Sequence, residues 1–177
     1  MEPMIENSSH DAQPQHLTFC VAGEEYAVGI LRVREILQYT GVTRVPRMPS
    51  WVRGVINLRG SVVPVVDLAV RFGLPPSEIT RSACVVITEV RLDGQAVVVG
   101  LLADAVSQVV ELPAQDIQPP PAFGTRVRVD FLQGMGRLAE RMVLLLDVDR
   151  LLSSDEVASA TTAAEAIAAE AQACAVA

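Results

Sequence analysis

Few residues in this sequence invite a chemical reading, and most of those have a structural explanation. Asp67 and Asp147 are candidates for a carboxylate acid/base pair, yet each precedes a short helical stretch at the same place in an internal repeat, where helix capping accounts for both. Gly134-Met135-Gly136-Arg137-Leu138-Ala139 fits G-x-G-x-x-A, the turn that lets a pyrophosphate approach a helix N-terminus. A dinucleotide site needs a long helix next, whereas the strand-like MVLLLD follows, so a dinucleotide-binding enzyme is kept only as the alternative from a different class. The only histidines, His10 and His16, lie in or beside a polar N-terminal stretch, and lysine is absent. That removes a positioned imidazole base, the phosphate-loop lysine, Schiff-base chemistry and Ser-Lys hydrolysis together, so no enzyme is expected. Cys20, Cys84 and Cys174 are odd in number, far apart and without C-x-x-C spacing. No disulfide framework, metal site or cofactor is expected from them, and Cys20 and Cys84, in strand-like runs, should pack as small hydrophobes.

What remains is binding chemistry, and its best candidate is Arg59, the one basic residue in the apolar run GVINLRGSVVPVVDL from Gly54 to Leu68. A planar guanidinium on a rigid hairpin suits a carboxylate or carbonyl contact; a solvated turn arginine is the structural alternative. Glu35, set among Val33, Ile36 and Leu37, reads either as a charge on the rim of an apolar patch or as a solvated charge on an edge strand.

The elements that must hold these residues are mostly strands. Half of the 177 residues are hydrophobic but only 4% are aromatic, so the core has to be built from Val, Leu, Ile and Ala. LTFCVA and YAVGI flank a Gly-Glu-Glu turn; LRVREIL fits either a helix or a bent strand; VINL and SVVPVVDL form a hairpin with Arg59 beside its glycine. Asp67 caps a helical turn that Gly73, Pro75 and Pro76 end, and ACVVITEV with QAVVVGLLAD makes a second hairpin through Asp93-Gly94. The order of events then repeats. Val106, Val109 and Val110 follow Val33, Ile36 and Leu37 at an offset of 73, and GMGRLAERMVLLLDV lies on GVINLRGSVVPVVDL at an offset of 80 without a gap. A duplication with about five short strands per copy predicts two small barrels packed together, which also removes exposed edges. Residues 1–15 read as a disordered tail, 16–154 as the folded body with approximate halves 16–80 and 81–154, and 155–177 as an alanine-rich C-terminal helix or tail opened by the capping box Ser153–Glu156.

A net charge of −7, with all 14 basic residues arginine, argues against nucleic acid as a partner. The opening MEPMIENSSH lacks the pattern of a signal peptide and no run reaches the ~18 apolar residues of a membrane span, so a cytoplasmic protein without membrane insertion is expected.

The strings YAVGILRVREI, GVINLRGSVVPVVDL, VVVGLLADAVSQVVEL, IQPPPAF and LQGMGRLAERMVLLLDVDRLL resemble the CheW family, the adaptors of bacterial chemotaxis, over roughly His16 to Ser154. The resemblance implies two intertwined five-stranded barrels of the SH3-like type. It implies a non-enzymatic adaptor that couples the cytoplasmic tips of methyl-accepting chemoreceptors to the histidine kinase CheA through the kinase's CheW-like regulatory domain, recruited to membrane-associated arrays. An adaptor of a non-flagellar chemosensory pathway is the variant reading. Receptor contacts are implied for Arg59 and Asn57 of NLRG, for Glu35 and Val33 of V-x-E-I, and for Val109. Kinase contacts are implied for Ile36, for Phe123 and for Gln118, which stands where the family often has a basic residue.

Overall fold

The computed structural model of the protein describes residues 15–119 and 129–152. The expected N-terminal tail up to residue 14, Phe123, and the alanine-rich segment from 153 onward lie outside the described residues. The chain opens with a hairpin of β1 (Gln15–Val21) and β2 (Glu24–Gly29). LRVREIL divides: Ile30–Arg32 make a 3-10 turn and the rest is strand β3 (Val33–Gln38). A second hairpin pairs β4 (Val52–Leu58) with β5 (Ser61–Asp67), which runs into the short helix α1 (Leu68–Arg71). The second copy supplies β6 (Cys84–Leu92), β7 (Gln95–Ala103), β8 (Ala105–Glu111), the two-residue β9 (Ile117–Gln118), β10 (Leu132–Leu138), β11 (Arg141–Leu146) and α2 (Val148–Leu151).

These strands form two sheets, ordered β3-β6-β7-β5-β4 and β8-β1-β2-β11-β10-β9. Each sheet is built from both copies: the first hairpin of either copy inserts between the later strands of the other. Parallel pairs mark the joins, β5 beside β7 and β2 beside β11. Neither half of the chain can therefore close a sheet by itself.

The pseudo-symmetry extends to single atoms. The register shifts between Val52 and Gly54 in β4, and between Leu132 and Gly134 in β10, positions 80 apart. A β-carbon on Gly54 would stand 2.5 Å from the Thr43 carbonyl oxygen, and one on Gly134 would stand 2.5 Å from that of Gln118. Each glycine thus lets an edge segment close onto its strand: Thr43 bridges Val55, and Gln118 pairs with Met135. The glycine-rich GMGRLA is the inside of β10 and the start of its hairpin turn, with strand β11 following and no helix N-terminus at that place.

The main core lies between the sheets and is chiefly aliphatic, but the scarce aromatics are concentrated in it. Phe19, Tyr26, Phe72 and Phe131 form a continuous row with ring centroids 5.1–6.3 Å apart. Cys20 and Cys84 sit in strands as expected, yet both are only half-buried, and Cys84 donates to the Ser82 carbonyl. Arg71 joins the copies: its guanidinium carbon is 5.1 Å from the ring centroids of both Trp51 and Phe131, and its Nε donates to the Leu151 carbonyl at 2.6 Å. Only a flat cation fits between two rings while holding a carbonyl. Arg71→Lys is accordingly expected to cost about 1–2 kcal/mol, read as a lowered urea midpoint; an unchanged midpoint would show that the stacking carries no weight.

Candidate functional site

The β4–β5 turn consists of Arg59 and Gly60, since Leu58 and Ser61 are the last paired residues. Both turn residues have positive φ, 52° and 89°, the backbone of a type I′ hairpin, which glycine accepts freely and arginine does not. Asn57 secures the turn: its Oδ1 accepts from the Gly60 amide at 2.9 Å. In the second copy the equivalent turn begins with Ala139, φ 54°, so this geometry does not call for an arginine. The Arg59 side chain is 79% exposed, and its Nη1 lies 3.0 Å from Oε2 of Glu35, whose side chain is 22% exposed.

Glu35 reaches the turn because β3 is an edge strand whose burial alternates residue by residue. Val33, Glu35 and Leu37 are half-buried while Arg34, Ile36 and Gln38 are exposed; the register shifts between Val33 and Glu35, and Leu37 packs against the separate cluster of Val63, Val65 and Ile87. Beneath the Arg59–Glu35 pair runs a groove of about 440 Å³, with Arg34, Leu58, Val63, Ile87 and Val98 among its walls. An apolar floor bordered by one fixed acid and one fixed base suits a peptide segment that offers a side chain to the groove and a carbonyl or carboxylate to the arginine, whose remaining N–H donors face out.

The other sequence candidates fall elsewhere. Val33 packs against the main core. Ile36 lies on the opposite face of β3 from Glu35 and is 43% exposed; Val109 is 50% exposed on β8, the corresponding edge of the other sheet. Gln118 is exposed on β9, at the far edge of that same sheet. The structure thus unites Glu35, Asn57 and Arg59 and separates them from Ile36, Val109 and Gln118. The groove walls were missed in the sequence, although period-2 alternation in VREILQ would have placed Glu35 and Ile36 on opposite faces. Asp67 and Asp147 act as N-caps, accepting from the amides of Ala69 and Asp149, each at 3.1 Å. Among the described residues no helix is long and apolar enough to cross a membrane.

With this geometry established, comparison with known proteins assigns the family. The family model described as the CheW-like domain matches residues 15–156. The chain belongs to the CheW family. It is 40% identical to the chemotaxis protein CheW of Klebsiella aerogenes over 144 residues, covering 81% of this chain and 84% of that protein. It is 32% identical to Protein FrzA of Myxococcus xanthus, covering 81% and 89% of the two chains. The crystal structure of the scaffolding protein TtCheW from Thermoanaerobacter tengcongensis superposes with a TM-score of 0.72 at 29% identity, covering 81% of this chain and 95% of that one. CheW-family membership agrees with a mainly β, two-sheet architecture whose distinctive side chains stand on its surface.

Proposed function

We propose that this protein is a non-enzymatic adaptor that couples chemoreceptors to the histidine kinase CheA, and that it is cytoplasmic and recruited to membrane-associated receptor arrays. The observation that carries the reading is the Arg59–Glu35 pair: an arginine at a left-handed turn position where the other copy uses alanine, steered by a glutamate over an apolar groove. A residue held in an unfavourable backbone conformation where nothing structural asks for it is a reasonable contact residue. In this reading Arg59 and Glu35 meet the cytoplasmic tip of a receptor, Asn57 holds the turn, Val33 supports the strand beneath and Val109 adds a further receptor contact. Ile36 and Gln118, with Phe123, face the kinase. The separation of Ile36 from Glu35, one exposed and the other half-buried on β3, supports distinct contacts for the two partners, and with Val109 and Gln118 on the other sheet each partner is met at more than one place.

The test is reconstitution. Added to purified CheA and receptor-containing membranes, the protein is expected to co-sediment with both and to raise kinase autophosphorylation at least several-fold. Absence of both effects with a matched receptor and kinase would refute the adaptor reading.

A further inference from the structure

The chain's charge is unevenly divided. All 14 arginines lie between Arg32 and Arg150, and the stretch 15–152 holds as many carboxylates as arginines, so the entire excess of −7 belongs to the two end segments. Glu2, Glu6 and Asp11 account for three of those charges, and Asp155, Glu156, Glu165 and Glu170 for the other four. The body is electroneutral, yet it has a basic groove. Between β3 and β4, the VPRMP loop borders a cleft of about 380 Å³ with Arg44 and Arg47 on its rim and Val45, Met48, Val52 and Val70 among its apolar walls. Arg53, also there, is already committed to Asp67 at 3.0 Å. Arg44 and Arg47 are exposed and have no hydrogen bond or ion pair among the described residues. Arg47 is also held at φ 62°, a left-handed position at the second corner of a Pro-Arg turn where glycine or asparagine is usual.

We propose that the acidic, alanine-rich segment 153–177 docks into this Arg44–Arg47 groove of its own body. Three features select that occupant. The segment carries four carboxylates and no cation, opposite two unpaired arginines. Its sequence-predicted apolar stripe of Val157, Ala164 and Ile167 matches an apolar floor. It also starts within reach of the groove: Leu151, one residue from the last described position, accepts from Arg71 at 2.6 Å, and Val70, next to Arg71 in the chain, lines the cleft. Its 25 residues, about 37 Å long if helical, exceed the reach required. The N-terminal acids enter at Gln15 instead, at a cleft where Arg32 is already paired with Asp149 at 2.8 Å and Asp147 has Arg150 at 3.4 Å. Tethering supplies a high effective concentration, so the docking needs only weak contacts and is salt-sensitive.

The test uses the full-length protein labelled with ¹⁵N. A nitroxide on Cys174, with Cys20→Ser and Cys84→Ser, is expected to reduce the amide signals of Arg44, Val45, Arg47 and Met48 to less than half their intensity in the reduced sample. Arg44→Glu with Arg47→Glu, or about 1 M salt, restores them. Independently of the cysteine changes, the variant carrying Asp155→Asn, Glu156→Gln, Glu165→Gln and Glu170→Gln shifts the same amides. The proposal is overturned by undisturbed Arg44–Met48 signals in both experiments, by broadening centred elsewhere such as Gln15, or by broadening that appears only between separately labelled copies.

Discussion

Asp67→Ala is expected to lower stability by about 3 kcal/mol, whereas Asp147→Ala, at the equivalent place in the second copy, should cost about 1 kcal/mol. The two aspartates share a role as N-caps but not an environment. The Asp67 side chain is 3% exposed and, besides the Ala69 amide, accepts from Arg53 Nη1 at 3.0 Å, from the Ser77 hydroxyl at 2.9 Å and from the Ser77 amide at 3.2 Å. Removing it takes the carboxylate from Arg53, whose side chain is only 26% exposed and would keep the Ser77 carbonyl at 3.2 Å, and leaves Ser77 without its acceptor, as well as opening a helix end. Asp147 is 20% exposed and has Arg150 at 3.4 Å, and Gln133 stands where Arg53 would be. A partly solvated cap and a surface ion pair contribute less. Guanidinium midpoints of the two variants check the contrast, and equal losses would contradict it. Asp67→Asn, whose single oxygen can keep the bonds from the Ala69 amide and the Ser77 hydroxyl but whose NH2 then faces the Arg53 and Ser77 amide donors, should recover only a small part of the loss.

Gly54→Ala and Gly134→Ala are each expected to cost about 2 kcal/mol, because the new methyl would meet a backbone carbonyl oxygen at 2.5 Å and neither chain can yield without breaking its pairing. In the first case the reciprocal bonds between Thr43 and Val55, both 2.8 Å, are the ones at risk. Hydrogen exchange at the Val55 amide should accelerate in Gly54→Ala and stay unchanged in Gly134→Ala, since the two sites lie in different sheets. Gly136→Ala serves as the contrast: its methyl would meet the fully buried Leu112 side chain at 2.9 Å, so the cost there comes from rearranging core side chains, with no backbone carbonyl in the way. Loss of Val55 protection in both glycine variants would mean that the sheets do not respond independently.

Much of this architecture was legible because local chemistry repeats. Asp93-Gly94 and Arg59-Gly60 are turns that the chain itself announces, and the Asp67 and Asp147 caps follow from their positions ahead of apolar helical residues. The offset of 80 identified Gly54 with Gly134 before either had a neighbour. The exchange of hairpins between sheets is another matter: β-branched runs specify strands but not which strand pairs with which, and the parallel contacts of β2 with β11 and β5 with β7 span long separations that no local signal encodes. The LRVREIL segment stayed ambiguous for a related reason. Its apolar spacing fits a helix, and pairing with β6 imposes the strand. At the candidate site, Arg59 and Glu35 stood out as awkward charges in apolar runs, but their meeting at 3.0 Å requires the five-stranded sheet to curl until its opposite edges, β3 and β4, approach each other, a property of the folded topology alone.

The claim on which the functional account rests is that Arg59 is present for a partner and at some expense to its own turn. Arg59→Asn tests both halves at once, because asparagine favours the left-handed position beside glycine, and the exposed pair with Glu35 adds little stability. The variant is expected to melt at the same temperature as the parent or a few degrees higher, and to bind receptor-containing membranes at least tenfold more weakly. Unchanged membrane binding by that folded variant would make Arg59 an ordinary solvated turn residue and would contradict the account.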